Sequence, residues 1–236
     1  MSEFRNSPAQ ILSYLEMCQR EGMSLQHGMN FRDNNSVFLM SMRKGAPYED
    51  FFDRDNLVLI YEGHDVPRKQ NEPDPKNVDQ PMLTDSGKPS RNKRFFDAAQ
   101  AFRAGLRARP LTVRVYEKLR DGIWVYNGLF DLEDATYGKI GSQLHRNVFR
   151  FHLRLTNQLT TEERESQVLS QTRLIPSLVK LEVYKRDKAQ CVLCGSKDNL
   201  HFDHDFPYSR GGSSLTSANV RLLCARHNLA KGSKII

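Results

Sequence analysis

Two pairs of potential metal ligands near the C-terminus constrain this chain most. Cys191 and Cys194 are separated by two residues, and Cys224 and His227 repeat that spacing further along the chain. Such pairs are typical of closed tetrahedral zinc sites, in which each pair reaches the metal from one tight turn. Because Cys18 stands alone far from the others, a disulfide framework is a poor interpretation. The spacing predicts a structural Zn2+ site made of three thiolates and the His227 imidazole.

The segment between the two pairs carries residue types suited to phosphodiester hydrolysis. Its core runs Asp203-His204, then Pro207, Ser209, Gly211 and Gly212, then Asn219. This order resembles the DHxxPxSxGG...N core of the HNH (ββα-metal) nuclease family. The tail CARHNLAKGSK is similar to the closing CxxCNxxKGxK of that family, with a histidine where the second cysteine usually stands. The resemblance spans roughly residues 176–234 and implies a metal-dependent DNA endonuclease.

The resemblance also implies a division of labour among these residues. A neutral imidazole can take a proton from water, so His204 is expected to act as general base, with Asn219 fixing its ring. A hard divalent ion, most simply Mg2+, prefers oxygen ligands, and Asp203 offers a carboxylate beside the base. The register against the closing motif favours Asn228 as the second catalytic ligand. The alternative is that His227 holds the catalytic ion, as in family members with a histidine at the end of the motif.

The charge of the chain is consistent with a nucleic-acid partner. Its formal net charge is +7 and its isoelectric point is near 9.3, which favours a polyanion. Arg210, Arg221, Lys231 and Lys234 lie in or beside the HNH-like segment and are candidates for contacts with DNA phosphates. The alternative interpretation for each of them is a solvated basic surface.

A second resemblance covers residues 25–156. The segment YEDFFDRDNLVLIYEG at 48–63 resembles the YEDDxDxGxxxxYTG stretch of SRA (YDG) domains, which belong to the PUA-like β-barrel superfamily. Four later segments are similar to further SRA stretches in the same order: VDQPMLTDSGKPSRNKRFFDAAQ, LTVRVYEKL, WVYNGLFDLEDA and VFRFHLRLT. The resemblance implies a domain that flips a modified cytosine out of duplex DNA.

Such a domain needs aromatic faces for the extruded ring and a polar group for its Watson–Crick edge. Tyr48 and Tyr61 match the two stacking tyrosines of the family, although both would also suit the core or surface of a barrel. A carboxylate that accepts from the cytosine N4 amino group is chemically apt. Asp50 and Asp53 both lie near the family aspartate, and an extra residue between the tyrosines leaves the choice between them open.

The end of this segment departs from the family pattern. Backbone groups around Glu62 and Gly63 are expected to complete recognition of the base edge, but the family has a threonine where this chain has Glu62. This departure leaves open whether 5-methylcytosine or a bulkier modification is preferred. The loops at 26–35 and 64–94 occupy positions from which the family inserts residues into the duplex. Arg32, His64 and Arg68 are candidates for insertion or for phosphate contacts.

The pattern along the chain predicts an α+β protein of two domains. Residues 1–156 form the SRA-like reader of a PUA-like β-barrel, 157–174 a partly helical linker, and 175–236 a small ββα-metal domain with treble-clef zinc. Helices are expected at 8–21, with Ser7 and Pro8 at its start, at 95–107 and at 175–189. Strands are expected at 36–42, 56–63, 111–119, 122–135 and 148–156, with a long loop at 64–94.

Together these features predict a modification-dependent, type IV-like restriction endonuclease acting on double-stranded DNA with 5-methylcytosine or 5-hydroxymethylcytosine. One alternative is a nicking or homing-type HNH enzyme that ignores modification, and another is a zinc-stabilised DNA reader without activity. One HNH site cuts one strand, so double-strand cleavage would require a homodimer or two separate visits. The sequence has no apolar run of about 18 residues and no signal-peptide pattern, so a cytoplasmic protein without membrane contact is expected.

Overall fold

The computed structural model describes residues 9–53, 58–141, 145–156, 174–206 and 212–231. These residues form ten strands, four α-helices and two short 3-10 helices, at Pro75–Asn77 and Ser217–Asn219. The helices are α1 (Tyr14–Glu21), α2 (Arg91–Arg103), α3 (Ser177–Arg186) and α4 (Ala225–Lys231). The strands are β1 (Ile11–Ser13), β2 (Met29–Asn30), β3 (Ser36–Met40), β4 (Phe51–Asp53), β5 (Val58–Glu62), β6 (Leu111–Arg120), β7 (Ile123–Gly138), β8 (Val148–Leu155), β9 (Leu200–His204) and β10 (Val220–Cys224).

The strands form two sheets. The larger has the order β2-β3-β6-β7-β8-β5-β4, and β1 pairs with β7 outside this path. The smaller consists of β9 and β10 alone. This content confirms the predicted α+β class. In the part of the chain that the structure describes, none of the helices has both the length and the apolar character that a membrane span requires.

The chain divides into two compact units that do not follow its linear order. The sheet unit comprises Leu25–Val115 and Leu129–Thr156. The C-terminal unit comprises Met1–Ser24, Tyr116–Gly128 and Asn157–Ile236. Because β6 and β7 are long, both strands run through the two units, and their connecting turn belongs to the C-terminal unit.

An aromatic core holds the sheet unit together. The Phe38 ring stacks on the Tyr61 ring with centroids 4.2 Å apart, and it lies 4.6 Å from the Phe95 ring of α2. Phe151 on β8 pairs in register with Tyr61 on β5, which places another large ring on this core. Since each buried aromatic side chain removes a large apolar area from water, this cluster fixes β3, β5, β8 and α2 around one centre.

The C-terminal unit is built around a core from three separate stretches of sequence. Leu119 and Val125, on either side of the β6–β7 turn, join the same buried cluster as Val179 and Val183 of α3. Phe202, Leu222 and Leu223 from β9 and β10 belong to this cluster as well. The β6–β7 turn therefore contributes to the core on which the small two-stranded sheet rests.

Most predicted elements are present, with shifted ends. The helix predicted at 8–21 begins only at Tyr14, because the Ser13 hydroxyl accepts from the Glu16 backbone N–H and the Glu16 carboxylate accepts from the Ser13 N–H. Ile11–Ser13 instead pairs with β7, so the predicted helical start is wrong. The helix predicted at 95–107 runs over Arg91–Arg103, with Ser90 capping its first turn.

Two short strands and three predicted features remain. Strands β2 (Met29–Asn30) and β4 (Phe51–Asp53) were not predicted. The predicted cap residues Ser7 and Pro8 lie outside the described residues, as does the predicted linker apart from Leu174. The proposed division at residue 156 stays a prediction.

Candidate functional sites

The four predicted zinc ligands come together in the C-terminal unit. The ligand atoms of Cys191, Cys194, Cys224 and His227 all lie within 4.8 Å of one another. The His227 Nδ1 atom is 3.3 Å from the Cys191 Sγ atom and 3.4 Å from the Cys224 Sγ atom. The Sγ atoms of Cys194 and Cys224 are 3.9 Å apart. Ligand atoms around a tetrahedral zinc ion are about 3.5 to 3.8 Å apart, so these separations suit a bound metal ion.

Backbone N–H groups stabilise the thiolate form of Cys191. The Gly195 N–H donates to the Cys191 carbonyl over 2.8 Å, which closes the turn between the first two cysteines. Burial acts to raise the pKa of Cys191, but backbone N–H groups of Cys224, Leu193 and Cys194 overcome it and lower that pKa to about 6. A thiol with such a pKa is largely ionised at neutral pH, as a metal ligand must be.

The strands next to the cluster place Asp203 and His204 at one end of a hairpin. In the antiparallel β9–β10 pair, Cys224 lies opposite Leu200, and His204 lies opposite Val220 at the other end. Helix α4 begins at Ala225, directly after β10. The hairpin and helix thus form a ββα arrangement, with His227 on the helix in the cysteine cluster and Asp203 and His204 at the end of β9.

A serine contacts the predicted general base. The His204 Nε2 atom lies 2.8 Å from the Ser214 hydroxyl oxygen. Asn219, expected to orient this ring, donates to the carbonyls of Phe206 and Ser213 over 3.1 and 2.9 Å. Its Oδ1 atom accepts from the Phe206 N–H over 2.7 Å. These bonds of Asn219 therefore join the residue that follows β9 to the returning part of the β9–β10 connection, and its role on the imidazole stays a prediction.

A close backbone approach explains the glycine at position 212. A Cβ atom added there would lie 1.9 Å from the Phe206 carbonyl oxygen and 2.9 Å from the Asn219 Nδ2 atom. Any larger residue would collide with backbone, so Gly212 allows the chain returning toward β10 to cross the end of β9. This crossing brings Ser214 to His204.

Asp203 forms ion pairs in the described structure. The Lys231 ammonium donates to its Oδ2 atom over 2.5 Å and also to the His204 carbonyl. Arg221 lies 3.8 Å from the same Oδ2 atom and 2.9 Å from Asp205 Oδ1. Burial raises the pKa of Asp203, against the lowering effect of Lys231.

Two of the four predicted phosphate contacts can be placed. The Lys231 side chain is 1% exposed, so the expectation that it contacts DNA from the surface is wrong in this structure. Its ammonium is instead held by Asp203. Arg221 is also largely covered and faces two carboxylates. Arg210 and Lys234 lie outside the described residues.

The predicted catalytic ligand Asn228 lies on α4, three residues before Lys231. Side chains three apart share one face of a helix, so Asn228 lies on the same face as the lysine that reaches Asp203. Its neighbour His227 lies in the cysteine cluster. Pro207, Ser209 and Gly211 of the motif lie outside the described residues.

The sheet unit holds the predicted base-pocket residues near one another. Tyr48 is partly exposed, whereas Tyr61 is 1% exposed and stacks on Phe38. His64 lies between these two tyrosines. Its ring is parallel to that of Tyr48 within 6°, at a centroid distance of 4.8 Å. The His64 Nε2 atom is 2.8 Å from the Tyr61 hydroxyl oxygen. The two tyrosines are thus connected through a histidine.

The two candidate aspartates have different surroundings. Asp50 is buried, and its carboxylate accepts from the N–H groups of Ser41 and Glu62 over 3.1 and 3.0 Å. Burial raises the pKa of Asp50 to about 7, although both N–H groups act to lower it. Asp53 ends strand β4 opposite Val58 and is partly exposed. Asp50 is therefore the aspartate whose carboxylate binds the backbone of β5 at Glu62, next to Tyr61.

Glu62, which stands where the family has threonine, is fully buried and paired. Its Oε2 atom accepts from the Glu49 N–H over 2.8 Å, and its Oε1 atom lies 3.4 Å from an Arg146 nitrogen. Burial raises the pKa of Glu62 against the opposing effects of the Glu49 N–H and of Arg150, Lys76 and Arg146. The side chain at this position thus contributes to an internal charge network.

The backbone around Gly63 also has partners inside the protein. The Gly63 N–H donates to the Phe149 carbonyl over 2.9 Å, and the Gly63 carbonyl accepts from the Gln80 amide over 2.6 Å. The Glu62 N–H donates to Asp50. These groups shape the pocket wall, and their expected contact with a base edge stays a prediction.

Sequence reasoning missed the charged groups near Tyr48. Arg146 is 1% exposed and donates to Asp65 over 2.7 Å, and Lys76 lies 2.9 Å from the same carboxylate. The Lys76 ammonium also lies over the Tyr48 ring, 4.4 Å from its centroid. Gln80 belongs to the DQ pair within the quoted SRA-like stretch, so that resemblance contained a signal for it. Arg146 had no such signal, because its partners are distant in sequence.

Comparisons with known proteins agree with this geometry at the C-terminus. Residues 191–234 match the family model described as HNH endonuclease. No curated protein matches the chain significantly. The expected resemblance to HNH endonucleases is confirmed by the family match.

Three solved structures illustrate what this chain is similar to. The SRA domain of SUVH5 bound to fully hydroxymethylated CG DNA is 22% identical with a TM-score of 0.42, covering 63% of this chain and 87% of the other. The modification-dependent TagI restriction endonuclease is 16% identical with a TM-score of 0.41, covering 95% and 75%. KRYPTONITE in complex with mCHG DNA is 18% identical with a TM-score of 0.43, covering 66% and 34%.

The Cys3His cluster, the ββα arrangement and the Asp203-His204 pair all fall within the residues that match the family. Residues 191–234 of this chain thus match the HNH endonuclease family model and contain the Cys3His cluster.

Proposed function

We propose that this chain is a modification-dependent DNA endonuclease, in which the sheet unit binds an extruded modified cytosine and the HNH region hydrolyses a nearby phosphodiester. The observation that carries the nuclease part is the position of His204. This residue lies at the end of β9, next to Asp203 in sequence, in a ββα arrangement whose other end is the Cys3His cluster.

His204 is suited to act as the general base. A neutral imidazole takes the proton from the attacking water, and the contact of its Nε2 atom with Ser214 restrains the ring. Asn219 supports this geometry indirectly, because it holds the backbone at Phe206 and Ser213. The general base is thereby held in a restrained ring orientation when the scissile phosphate arrives.

Two metal sites complete the proposal. The thiolate and imidazole set of the Cys3His cluster suits Zn2+ in a structural role, because four protein ligands leave no open position. The oxygen donors of Asp203 and Asn228 suit a harder ion such as Mg2+, and Asp203 already pairs with a cation through the Lys231 ammonium. Bound there, a divalent ion would supply charge stabilisation at the phosphate and the leaving oxygen.

The modified-base part rests on the aromatic groups of the sheet unit. Tyr48 offers a partly exposed ring, and Asp50 offers a buried carboxyl close in sequence to it. The carboxyl pKa near 7 allows either a carboxylate that accepts from the cytosine N4 amino group or a protonated group that donates to N3. The proposed substrate is double-stranded DNA that carries 5-methylcytosine or 5-hydroxymethylcytosine.

A matched set of substrates tests this function. Plasmids that differ only in cytosine modification are incubated with the protein and Mg2+, Mn2+ or no added divalent ion, alongside the His204→Ala variant. We expect cleavage of the modified plasmids that needs both the divalent ion and His204. Equal cleavage of plain and modified plasmids would instead indicate a nicking or homing-type enzyme, and binding without any cleavage would indicate a reader alone.

A further inference from the structure

The position of His64 leads to an inference that deepens the proposed function and rests on it. The His64 imidazole lies flat against Tyr48, with centroids 4.8 Å apart and planes 6° from parallel. Its Nε2 atom makes a polar contact of 2.8 Å with the Tyr61 hydroxyl. A stacked face and a bonded polar edge are the two contacts that an extruded base requires.

While the His64 ring occupies this place, a base cannot bind against Tyr48 and Tyr61. Tyr48 and His64 are already in stacking contact, so a third ring does not fit between them. One face of the Tyr61 ring is covered by Phe38, and the His64 ring lies 5.9 Å from the Tyr61 centroid. A base can therefore reach both tyrosines only after the His64 ring has left.

The surroundings of His64 restrict how it can leave. Asn92 holds its backbone at both ends, accepting from the His64 N–H over 2.9 Å and donating to the His64 carbonyl over 2.8 Å. Movement is therefore confined to rotation of the side chain. The backbone at Gly28 packs directly against the ring, since a Cβ atom there would lie 2.3 Å from the His64 Cε1 atom. The absence of a side chain at position 28 thus provides the space that the imidazole occupies.

We propose that His64 is an internal substitute for the extruded base: it closes the pocket in the DNA-free protein and rotates out when a modified cytosine enters. The proposal makes base entry a competition between two rings for one place. Only a base that regains the stack on Tyr48 and the bond to Tyr61 can displace the histidine. Because the pocket is open in only a fraction of molecules, apparent affinity falls by that fraction.

Ring-current shifts can report this exchange directly. In protein labelled at histidine Cε1, the His64 signal, assigned by its loss in His64→Phe, is expected to be shifted upfield by the stacked Tyr48 ring. Without added divalent ion, a duplex with one 5-methylcytosine should move this signal toward the position of an exposed histidine. The same duplex without the methyl group should leave it unchanged. A His64 signal that keeps its shift in the saturated methylated complex would overturn the proposal.

Binding to the same duplexes gives an independent readout. His64→Ala empties the place, so affinity for the methylated duplex should rise by about tenfold, the equivalent of one lost stack and one lost hydrogen bond. His64→Phe refills the place with a ring and should gain clearly less. Weaker binding by His64→Ala than by the wild type would overturn the proposal. Equal wild-type affinity for both duplexes would overturn base reading itself, whereas a methyl preference with an unmoved His64 would overturn only this inference.

Discussion

The Lys180 ammonium donates to the Glu117 carboxylate over 2.6 Å, and both side chains are almost completely buried. Lys180 also donates to the Asn127 Oδ1 atom over 2.8 Å, and Asn127 donates to Glu117 over 3.1 Å. Burial acts to raise the pKa of Glu117, but the Lys180 ammonium overcomes this effect and lowers it. The triad joins α3 to β6 and β7 within the C-terminal unit.

Removing the cation of this triad should destabilise the C-terminal unit. Lys180→Met leaves the Glu117 carboxylate in the core without its counter-charge, which costs about 3 to 5 kcal/mol. The measurement is the free energy of unfolding from urea titration. Lys185→Met, on an exposed position of the same helix, is the matched control and should change it by less than about 0.5 kcal/mol. If Lys180→Met matched that control, the triad would have no role in stability.

The same triad shows where sequence analysis reached its limit. The ligand spacing of Cys191, Cys194, Cys224 and His227 predicted their cluster, because paired ligands in tight turns are local features. The association of residues 116–128 with α3 depends on contacts across more than fifty residues, for which one sequence carries no pattern. His64 is a similar case, since its place against Tyr48 depends on Asn92 and Gly28.

Tertiary contacts also changed the significance of residues that the sequence did identify. Tyr61 was expected to stack on a base, but its ring is largely buried against Phe38. Lys231 was expected on the surface, but its side chain is buried and pairs with Asp203. In both cases exposure depended on packing that only the structure provides.

Loss of one cluster thiol should remove the structural metal. Cys194→Ser is expected to lower the bound zinc measured by atomic absorption and to cost about 3 kcal/mol or more of stability, because metal binding contributes to folding free energy. Cys18→Ser is the matched control, since Cys18 lies on α1 outside the cluster. Unchanged zinc content in Cys194→Ser would contradict the Cys3His site.

His204 and Ser214 should differ in how much cleavage they support. His204→Ala is expected to reduce the cleavage rate by about a hundredfold to ten-thousandfold, the usual contribution of a general base. Ser214→Ala should cost less, roughly tenfold to a hundredfold, because the imidazole remains and only its restraint is lost. Rates are measured on modified plasmid under single-turnover conditions. Zinc content serves as the folding control, and equal losses for both variants would argue against this assignment.

Tyr48 is a better probe of base binding than Tyr61. Tyr61→Ala would remove a core ring, whereas Tyr48 is partly exposed and its loss should affect mainly the pocket. Tyr48→Ala is expected to reduce the preference for methylated over plain duplex by roughly tenfold to a hundredfold, the value of one base stack. Tyr14→Ala, an exposed tyrosine on α1, is the control in fluorescence anisotropy. An unchanged preference in Tyr48→Ala would place the base elsewhere.

The stability of the sheet unit should carry a pH signature of His64. Burial lowers the pKa of His64 from 6.5 to about 4; Asp65 opposes this shift, and the charges of Arg91, His27 and Lys76 add to it. Between these two values the unfolded chain binds a proton that the folded protein does not. The stabilising contribution is therefore complete above pH 6.5 and is lost as the pH falls toward 4, by about 3 kcal/mol.

The difference between two proteins isolates this effect. His64→Phe keeps a ring against Tyr48 but cannot titrate, so its stability relative to the wild type should improve as the pH falls from 7 to 4.5. Subtraction is needed because Asp50, whose pKa burial raises to about 7, has the opposite dependence and stabilises the folded protein toward low pH. Parallel curves for the two proteins in urea titrations across this range would show that His64 titrates normally, and so is not enclosed between Tyr48 and Tyr61.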